Sequence, residues 1–159
     1  MTKYFSFTLV GTGWAEATFS KGDETAILIA SYLSDPLFEL FEALNRLNEN
    51  LSNMERILFV DEPGESLLTL TRVSFQDICI EIFMNDEWEE FDSSFPKKEG
   101  KKVLIYSDSD SLSNFIAVIC EGIDSLLRSM SILDYNKRWA QYEFPMESFN
   151  KIRKPKLLT

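Results

Sequence analysis

An apolar stripe of helical period divides the chain into two groups of strand patterns. Large apolar side chains recur every three or four residues between Leu37 and Leu51, which is the spacing of one buried helix face. Asp35 can cap this helix, and Pro36 suits its first turn because the missing N–H of proline has no helical partner there. We therefore predict an amphipathic helix that ends near Asn53. Its stripe consists of Leu37, Leu40, Phe41, Leu44, Leu47 and Leu51.

Three strand patterns precede this helix. Lys3–Val10 is rich in aromatic and β-branched residues, and Trp14–Phe19 follows the turn signal at Gly11–Gly13. Ala26–Leu33 is almost entirely apolar, which predicts a central strand buried on both faces. We expect these strands to form an antiparallel meander.

Four strand patterns and a second long helix follow. The helix is predicted from about Ser111 to Ser131, where apolar residues again recur at helical spacing. A short terminal helix is expected to turn Met146, Phe149 and Ile152 inward. The predicted strands are Arg56–Val60, Ser66–Val73, Gln76–Met84 and Val103–Tyr106.

The order of these elements predicts the fold class. Groups of strands separated by helices, without regular β-α-β alternation, indicate an α+β fold with a mainly antiparallel sheet. We expect about six to seven strands, with the two long amphipathic helices packed on the sheet. A length of 159 residues suits one domain, predicted to span residues 1–150 and to be followed by a basic tail at 151–159.

The residue types exclude several functions. The chain contains no histidine, which removes histidine-based catalysis and histidine metal ligands. Cys79 and Cys120 lie among apolar neighbours, as expected of buried thiols in a reducing compartment. The apolar runs are too short to span a bilayer, and the N-terminal residues lack a signal-peptide pattern. We therefore expect a soluble, cytoplasmic, non-enzymatic protein without a cofactor or a membrane partner.

Negative charge is concentrated in the first part of the chain. Residues 1–100 carry 19 acidic and 7 basic side chains, whereas residues 101–159 carry 7 acidic and 9 basic ones. An acidic surface repels the phosphates of nucleic acid, so no nucleic-acid partner is predicted. The charge agrees either with plain solubility or with a basic protein partner.

The segment Asn85–Phe95, NDEWEEFDSSF, surrounds aromatic rings with carboxylates. Its spacing lacks the alternating acids and the glycine of a calcium loop, so no metal is predicted. No sugar-binding or nucleotide-binding motif accompanies it, so no catalytic residue is assigned. It is either a solvated loop anchored by its rings or a protein-binding surface. The predicted contact residues are Asp86, Glu87, Trp88, Glu89, Glu90 and Phe91, with Asp61, Glu62 and Glu65 as a second patch.

The environment of Trp88 distinguishes these two interpretations. A ring buried in the core favours the solvated loop, and an exposed ring favours the interface. Another interaction module, such as a homodimer formed through Trp139–Phe144, is the second functional hypothesis. A carboxylate-based hydrolase is the third, and it requires a cleft that encloses two carboxylates of raised pKa.

Four segments resemble a group of uncharacterised bacterial proteins of this size: WAEATFS (14–20), ASYLSDPLFELFEAL (30–44), DEPGE (61–65) and RWAQYEFP (138–145). The small, acidic, histidine-free type also resembles the immunity proteins of bacterial contact-dependent inhibition and related polymorphic toxin systems. This resemblance implies a protein that binds a cognate toxin domain. If that toxin is a nuclease, an acidic surface would mimic phosphate and occupy its basic cleft.

Overall fold

The computed structural model describes residues 2–92 and 102–154. Its strands are β1 (Lys3–Leu9), β2 (Trp14–Lys21), β3 (Glu24–Ser31), β4 (Met54–Val60), β5 (Glu65–Arg72), β6 (Asp77–Asn85) and β7 (Val103–Ser111). Its helices are α1 (Pro36–Asn48), α2 (Leu112–Ser129), α3 (Ile132–Trp139) and α4 (Met146–Arg153). All strand pairs are antiparallel, and the sheet orders are β1-β2-β3 and β4-β5-β6-β7. The predicted α+β class and the antiparallel pairing are therefore confirmed.

The strands form two sheets instead of the single sheet that was predicted. β3 is an edge strand that pairs with β2 and, within the described residues, with no other strand. The prediction that it is a central strand buried on both faces is wrong, because Ile27 and Ile29 are 51% and 38% exposed while Ala26, Leu28 and Ala30 are buried. The composition of an apolar run does not distinguish an edge strand with one solvent-exposed face from a central strand with two buried faces.

Helix α1 ends earlier than predicted, at Asn48. Asn50 adopts a left-handed backbone conformation with φ of 58°. The N–H of Leu51 then donates to Arg46 O at 2.8 Å, and the N–H of Asn50 donates to Leu47 O at 3.2 Å. This pair of bonds is the Schellman motif that terminates helices. It removes Leu51 from the predicted stripe and leaves that side chain 69% exposed.

Strand β7 is longer than predicted and leads directly into α2. The predicted strand stopped at Tyr106 because the following Ser and Asp residues have low strand propensity. Lys3 Nζ lies 2.9 Å from Asp108 and 3.0 Å from Asp110, so contacts with β1 hold this polar part in the strand. Ser111 then caps α2 by accepting the N–H of Asn114 at 3.1 Å.

Two short helices accompany the two long ones. The helix α3 was not predicted, although Ser131 caps it by accepting the N–H of Asp134 at 3.1 Å. Tyr135 and Trp139 are four residues apart and therefore share its buried face. The predicted terminal helix corresponds to α4, where Phe149 and Ile152 are buried but Met146 is 36% exposed.

One cluster of buried apolar side chains joins both sheets and all four helices. It includes Phe5 and Phe19 from the first sheet, Ile80 from the second, and Trp139 and Phe149 from the short helices. Within the described residues, no helix is long and apolar enough to cross a membrane.

Candidate protein-binding surface

A buried carboxylate organises the acidic loop, which we define as Asp86–Asp92. Glu65, at the start of β5, is only 2% exposed. Its carboxylate accepts the backbone N–H groups of Glu89 at 2.9 Å, Glu90 at 3.0 and 3.1 Å, and Phe91 at 3.2 Å. The side-chain amide of Asn85 donates to it as well, at 3.2 Å. Consecutive amides that converge on one anion form a concave binding site for negative charge, so the loop is wrapped around Glu65.

The aromatic side chains attach the same loop to the β4–β5 turn, Asp61–Gly64. Trp88 Nε1 donates to Asp61 O at 2.7 Å. The ring of Phe91 packs edge-on against Trp88, with a centroid separation of 5.2 Å. Gly64 has a φ of 97° and leaves no room for a side chain, because an added Cβ would lie 2.8 Å from Asn85 O. The two acidic patches predicted separately therefore form one surface. We call it the acidic surface, and it consists of the β4–β5 turn and the acidic loop.

Part of the charge on this surface is compensated within the molecule. Glu90 Oε1 lies 3.0 Å from Arg56 Nη2 on β4 and 4.0 Å from Lys102 Nζ. Lys102 also lies over the ring of Phe83, 4.9 Å from its centroid. Glu90 therefore contacts the four-stranded sheet through Arg56, although it is exposed like Asp86 and Glu87.

The predicted contact residues have different environments. Asp86, Glu87, Glu90, Phe91 and Glu62 are exposed, and Trp88, Glu89 and Asp61 are partly buried. Glu65, the remaining predicted contact residue, is buried, and backbone amides surround its carboxylate. Trp88 lies outside the apolar core but its indole N–H is occupied by Asp61, so it anchors the loop with one part of its ring accessible. Phe95 lies outside the described residues.

A groove of about 330 Å³ borders the acidic surface. It lies where the outer face of β3 approaches the β4–β5 turn and the end of β6. Its lining combines apolar side chains with carboxylates and, within residues 2–92 and 102–154, includes no lysine or arginine. The lining residues are Ile27, Ile29, Asp61, Pro63, Gly64, Glu65, Ser66, Met84, Asn85 and Asp86.

A second cleft, of about 490 Å³, lies between α1 and α4 and was not predicted. Its lining includes Phe38, which is 45% exposed, and three carboxylates. Glu42 belongs to α1, whereas Glu143 and Glu147 lie close together near the start of α4. Glu42 is held there by the hydroxyl of Ser148, which donates to Oε1 at 2.6 Å. The sequence gives no local signal for this cleft, because Glu42 lies about a hundred residues from Glu143 and Glu147.

The carboxylates with raised pKa lie elsewhere, at the beginning of α1. Burial raises the pKa of Asp35 to about 6, and burial also raises the pKa of Glu39. Neither residue lines the groove or the second cleft. Among the described residues, no group of three or more Asp, Glu or Cys side chains is arranged to hold a metal ion.

Several residues outside the acidic surface have structural roles. Arg138 connects α3 to the first sheet, because its Nη2 donates to Leu9 O at 2.8 Å and its Nε to Gly11 O at 3.3 Å. Trp139 is completely buried and Phe144 is 5% exposed, so these two rings are not available for the predicted homodimer contact. Both cysteines are partly buried free thiols, and burial raises the pKa of Cys120 to about 11.

The chain has no match among family models, curated proteins or solved structures.

Proposed function

We propose that this chain is a non-enzymatic inhibitor of the immunity type, which binds a basic toxin domain through its acidic surface. The observation that carries the proposal is the attachment of the acidic loop to Glu65. A loop that is fixed before binding loses little conformational entropy when the partner arrives. The exposed carboxylates of Glu62, Asp86 and Glu87 then share this surface with the exposed ring of Phe91.

The arrangement suits a partner with a cationic cleft. Carboxylates at fixed positions attract lysine and arginine side chains and speed diffusional encounter. Phe91 and the accessible part of Trp88 supply the apolar contact that slows dissociation, since aromatic side chains dominate the energetics of many interfaces. Inhibition follows from occupancy: a cleft filled by this surface cannot admit a phosphate-bearing substrate.

The test is direct binding to the toxin domain encoded by the gene adjacent to this one. We expect calorimetry to give a dissociation constant below about 1 μM, and we expect association to slow several-fold as salt is raised through the physiological range. Neutralisation of the loop by Asp86→Asn, Glu87→Gln and Glu89→Gln should slow association about tenfold or more. The loop would stay folded, because Glu89 contributes its backbone N–H to the Glu65 site.

A matched control removes the same charge elsewhere. Asp23→Asn, Glu49→Gln and Glu121→Gln neutralise three exposed carboxylates outside the acidic surface. This variant should associate at close to the wild-type rate if the position of the charge matters. An adjacent gene that encodes no toxin, or a toxin that fails to bind at micromolar concentration, would overturn the proposal.

A homodimeric module is the second candidate, and strand β7 is the observation that favours it. β7 is an edge strand within the described residues, and edge strands with apolar side chains are prone to pair with another chain. Val103, Leu104 and Ile105 are 53%, 47% and 38% exposed. Sedimentation velocity distinguishes the candidates: a stable dimer without a heterologous partner supports this one, and a monomer at micromolar concentration contradicts it.

A further inference from the structure

The groove beside the acidic surface has an apolar side that the acidic loop does not cover. Ile27 and Ile29 project from the outer face of β3, and Met84, 37% exposed, lies at the end of β6. Exposed β-branched side chains on an edge strand promote unwanted pairing, and proteins commonly place lysine or proline there. Among the described residues, the groove lining includes Pro63 but no lysine or arginine.

The carboxylates give the groove a definite electrostatic character. Asp61 and Asp86 lie on its rim, on the side of the acidic surface. The third lining carboxylate, Glu65, is surrounded by the amides of the loop and does not face a ligand. The rim is therefore complementary to cations, and the apolar lining formed by Ile27, Ile29 and Met84 is complementary to aliphatic side chains.

The size of the groove restricts what it can hold. About 330 Å³ lies at the small end of the range for ligand pockets, which runs from about 300 to 1,000 Å³. This volume suits one or two aliphatic side chains and is too small for a folded element. The flanking backbone of such a segment would remain on the surface, where its cationic side chains reach the rim.

We propose that the groove receives a segment of the partner in which an aliphatic side chain is flanked by lysine or arginine. The aliphatic group packs against Ile27, Ile29 and Met84, and the cations meet Asp61 and Asp86. This inference rests on the proposed function and deepens it, because it extends the contact from the acidic loop to the three-stranded sheet. It also specifies a partner that is amphipathic at the contact instead of purely basic.

The test uses a short amidated peptide in which lysine alternates with leucine, titrated into full-length protein labelled at the methyl groups of Ile and Met. We expect saturable shifts at Ile27, Ile29 and Met84. A peptide of equal charge with serine in place of leucine should bind about tenfold more weakly, since it has no aliphatic side chain to bury in the groove. Equal binding by the two peptides, or shifts that avoid these three methyl-bearing residues, would overturn the inference.

Substitutions in the groove provide a second test of the peptide binding. Ile27→Thr with Ile29→Thr keeps β-branched residues in β3 and should weaken binding of the leucine peptide about tenfold. Val73→Thr, at a side chain that is 61% exposed outside the groove, should leave binding unchanged. Shifts of the same methyl groups on simple concentration of the protein would assign the groove to a second copy and overturn the inference.

The outcomes separate this inference from the proposed function. If the adjacent toxin binds and Ile27→Thr with Ile29→Thr leaves its affinity unchanged, the groove is excluded while the immunity function stands. If no toxin binds but the leucine peptide binds at Ile27, Ile29 and Met84, the groove has the proposed chemistry and the immunity function fails.

Discussion

Both carboxylate oxygens of Glu65 accept a hydrogen bond from the backbone N–H of Glu90, at 3.0 and 3.1 Å. With the amides of Glu89 and Phe91, this contact connects the acidic loop to the four-stranded sheet. A segment of high negative charge would be expected to repel a further carboxylate. The peptide N–H dipoles of Glu89, Glu90 and Phe91 point towards the carboxylate of Glu65, whereas the side chains of Asp86 and Glu87 are exposed. One buried anion therefore stabilises a loop of anions.

Replacing Glu65 tests this arrangement. Glu65→Gln removes the charge and sets an NH₂ group against the N–H donors of Glu89, Glu90 or Phe91. Hydrogen bonds to a charged group contribute about 1.5–3 kcal/mol each, so we expect the free energy of unfolding to fall by about 2–4 kcal/mol. Amide hydrogen exchange at these three residues should accelerate. Denaturant titration and exchange measured by NMR provide the two readouts.

The control for this prediction is Glu81→Gln, on the neighbouring strand β6. Glu81 is partly buried and takes no part in the loop. We expect the free energy of unfolding to change by less than about 0.5 kcal/mol. If amide exchange in the acidic loop is the same in Glu65→Gln as in the wild-type protein, the structural role assigned to Glu65 is incorrect.

The role of Glu65 also shows what the sequence could not predict. Within DEPGE, nothing local distinguishes Glu65 from the exposed Glu62, because its burial depends on amides more than twenty residues away. The loop itself was predictable, since aromatic rings among carboxylates indicate either an anchor or an interface. Strand positions were predictable from alternation and turn residues, whereas the division into two sheets depends on contacts that leave no periodic signal.

The helices illustrate the same limit. The long apolar stripe of α2 predicted its position and its buried face, because each turn contributes at least one core residue. In α3, the apolar face consists of the buried rings of Tyr135 and Trp139 and the partly buried Ile132, and this pattern is too short to separate from a loop. The strand β7 was predicted too short because Lys3 and Lys21, which stabilise its polar half, lie far away in sequence.

The contact between α2 and β1 depends on the absence of a side chain at Gly122. A Cβ at this position would clash with the backbone oxygen of Phe5. Overpacking of this kind costs about 1–3 kcal/mol or more, so we expect Gly122→Ala to lower the free energy of unfolding by about 3 kcal/mol. Thermal and denaturant unfolding measure the change.

Gly11→Ala is the comparison variant for Gly122→Ala, because it introduces backbone strain without a steric clash. Gly11 has a φ of 63°, but a Cβ there would meet no heavy atom within 4 Å. We expect a loss of about 1–2 kcal/mol, which is the cost of a left-handed conformation for alanine. A smaller loss at Gly122 than at Gly11 would contradict the close approach of α2 to β1.

The lysine that joins the two sheets is a further target. Burial alone would lower the pKa of Lys3. The hydrogen bonds to Asp108 and Asp110, together with the negative charges of these two residues, outweigh burial, so the pKa of Lys3 is raised. Lys3→Met would leave two partly buried carboxylates without this cation. We expect a loss of about 1–2 kcal/mol in the free energy of unfolding and faster amide exchange in the second half of β7. The exposed Lys137→Met should cost less than about 0.5 kcal/mol, and an equal cost in both variants would contradict the role of Lys3.

The carboxyl group of Asp35 gives a prediction with a defined pH window. Burial raises its pKa from the ordinary value of 3.8 to about 6, so the folded protein binds a proton more tightly than the unfolded chain does. Ionisation of Asp35 therefore lowers the free energy of unfolding by its full amount above about pH 6. This loss of stability disappears as the pH falls towards 4. Asp35→Asn should raise the free energy of unfolding by about 2–3 kcal/mol at pH 7, and by much less at pH 4. The measurement is the difference between wild type and variant in denaturant titrations across this range, because other titrating groups cancel in it. A difference that stays constant from pH 4 to pH 7 would show that Asp35 ionises normally in the folded protein.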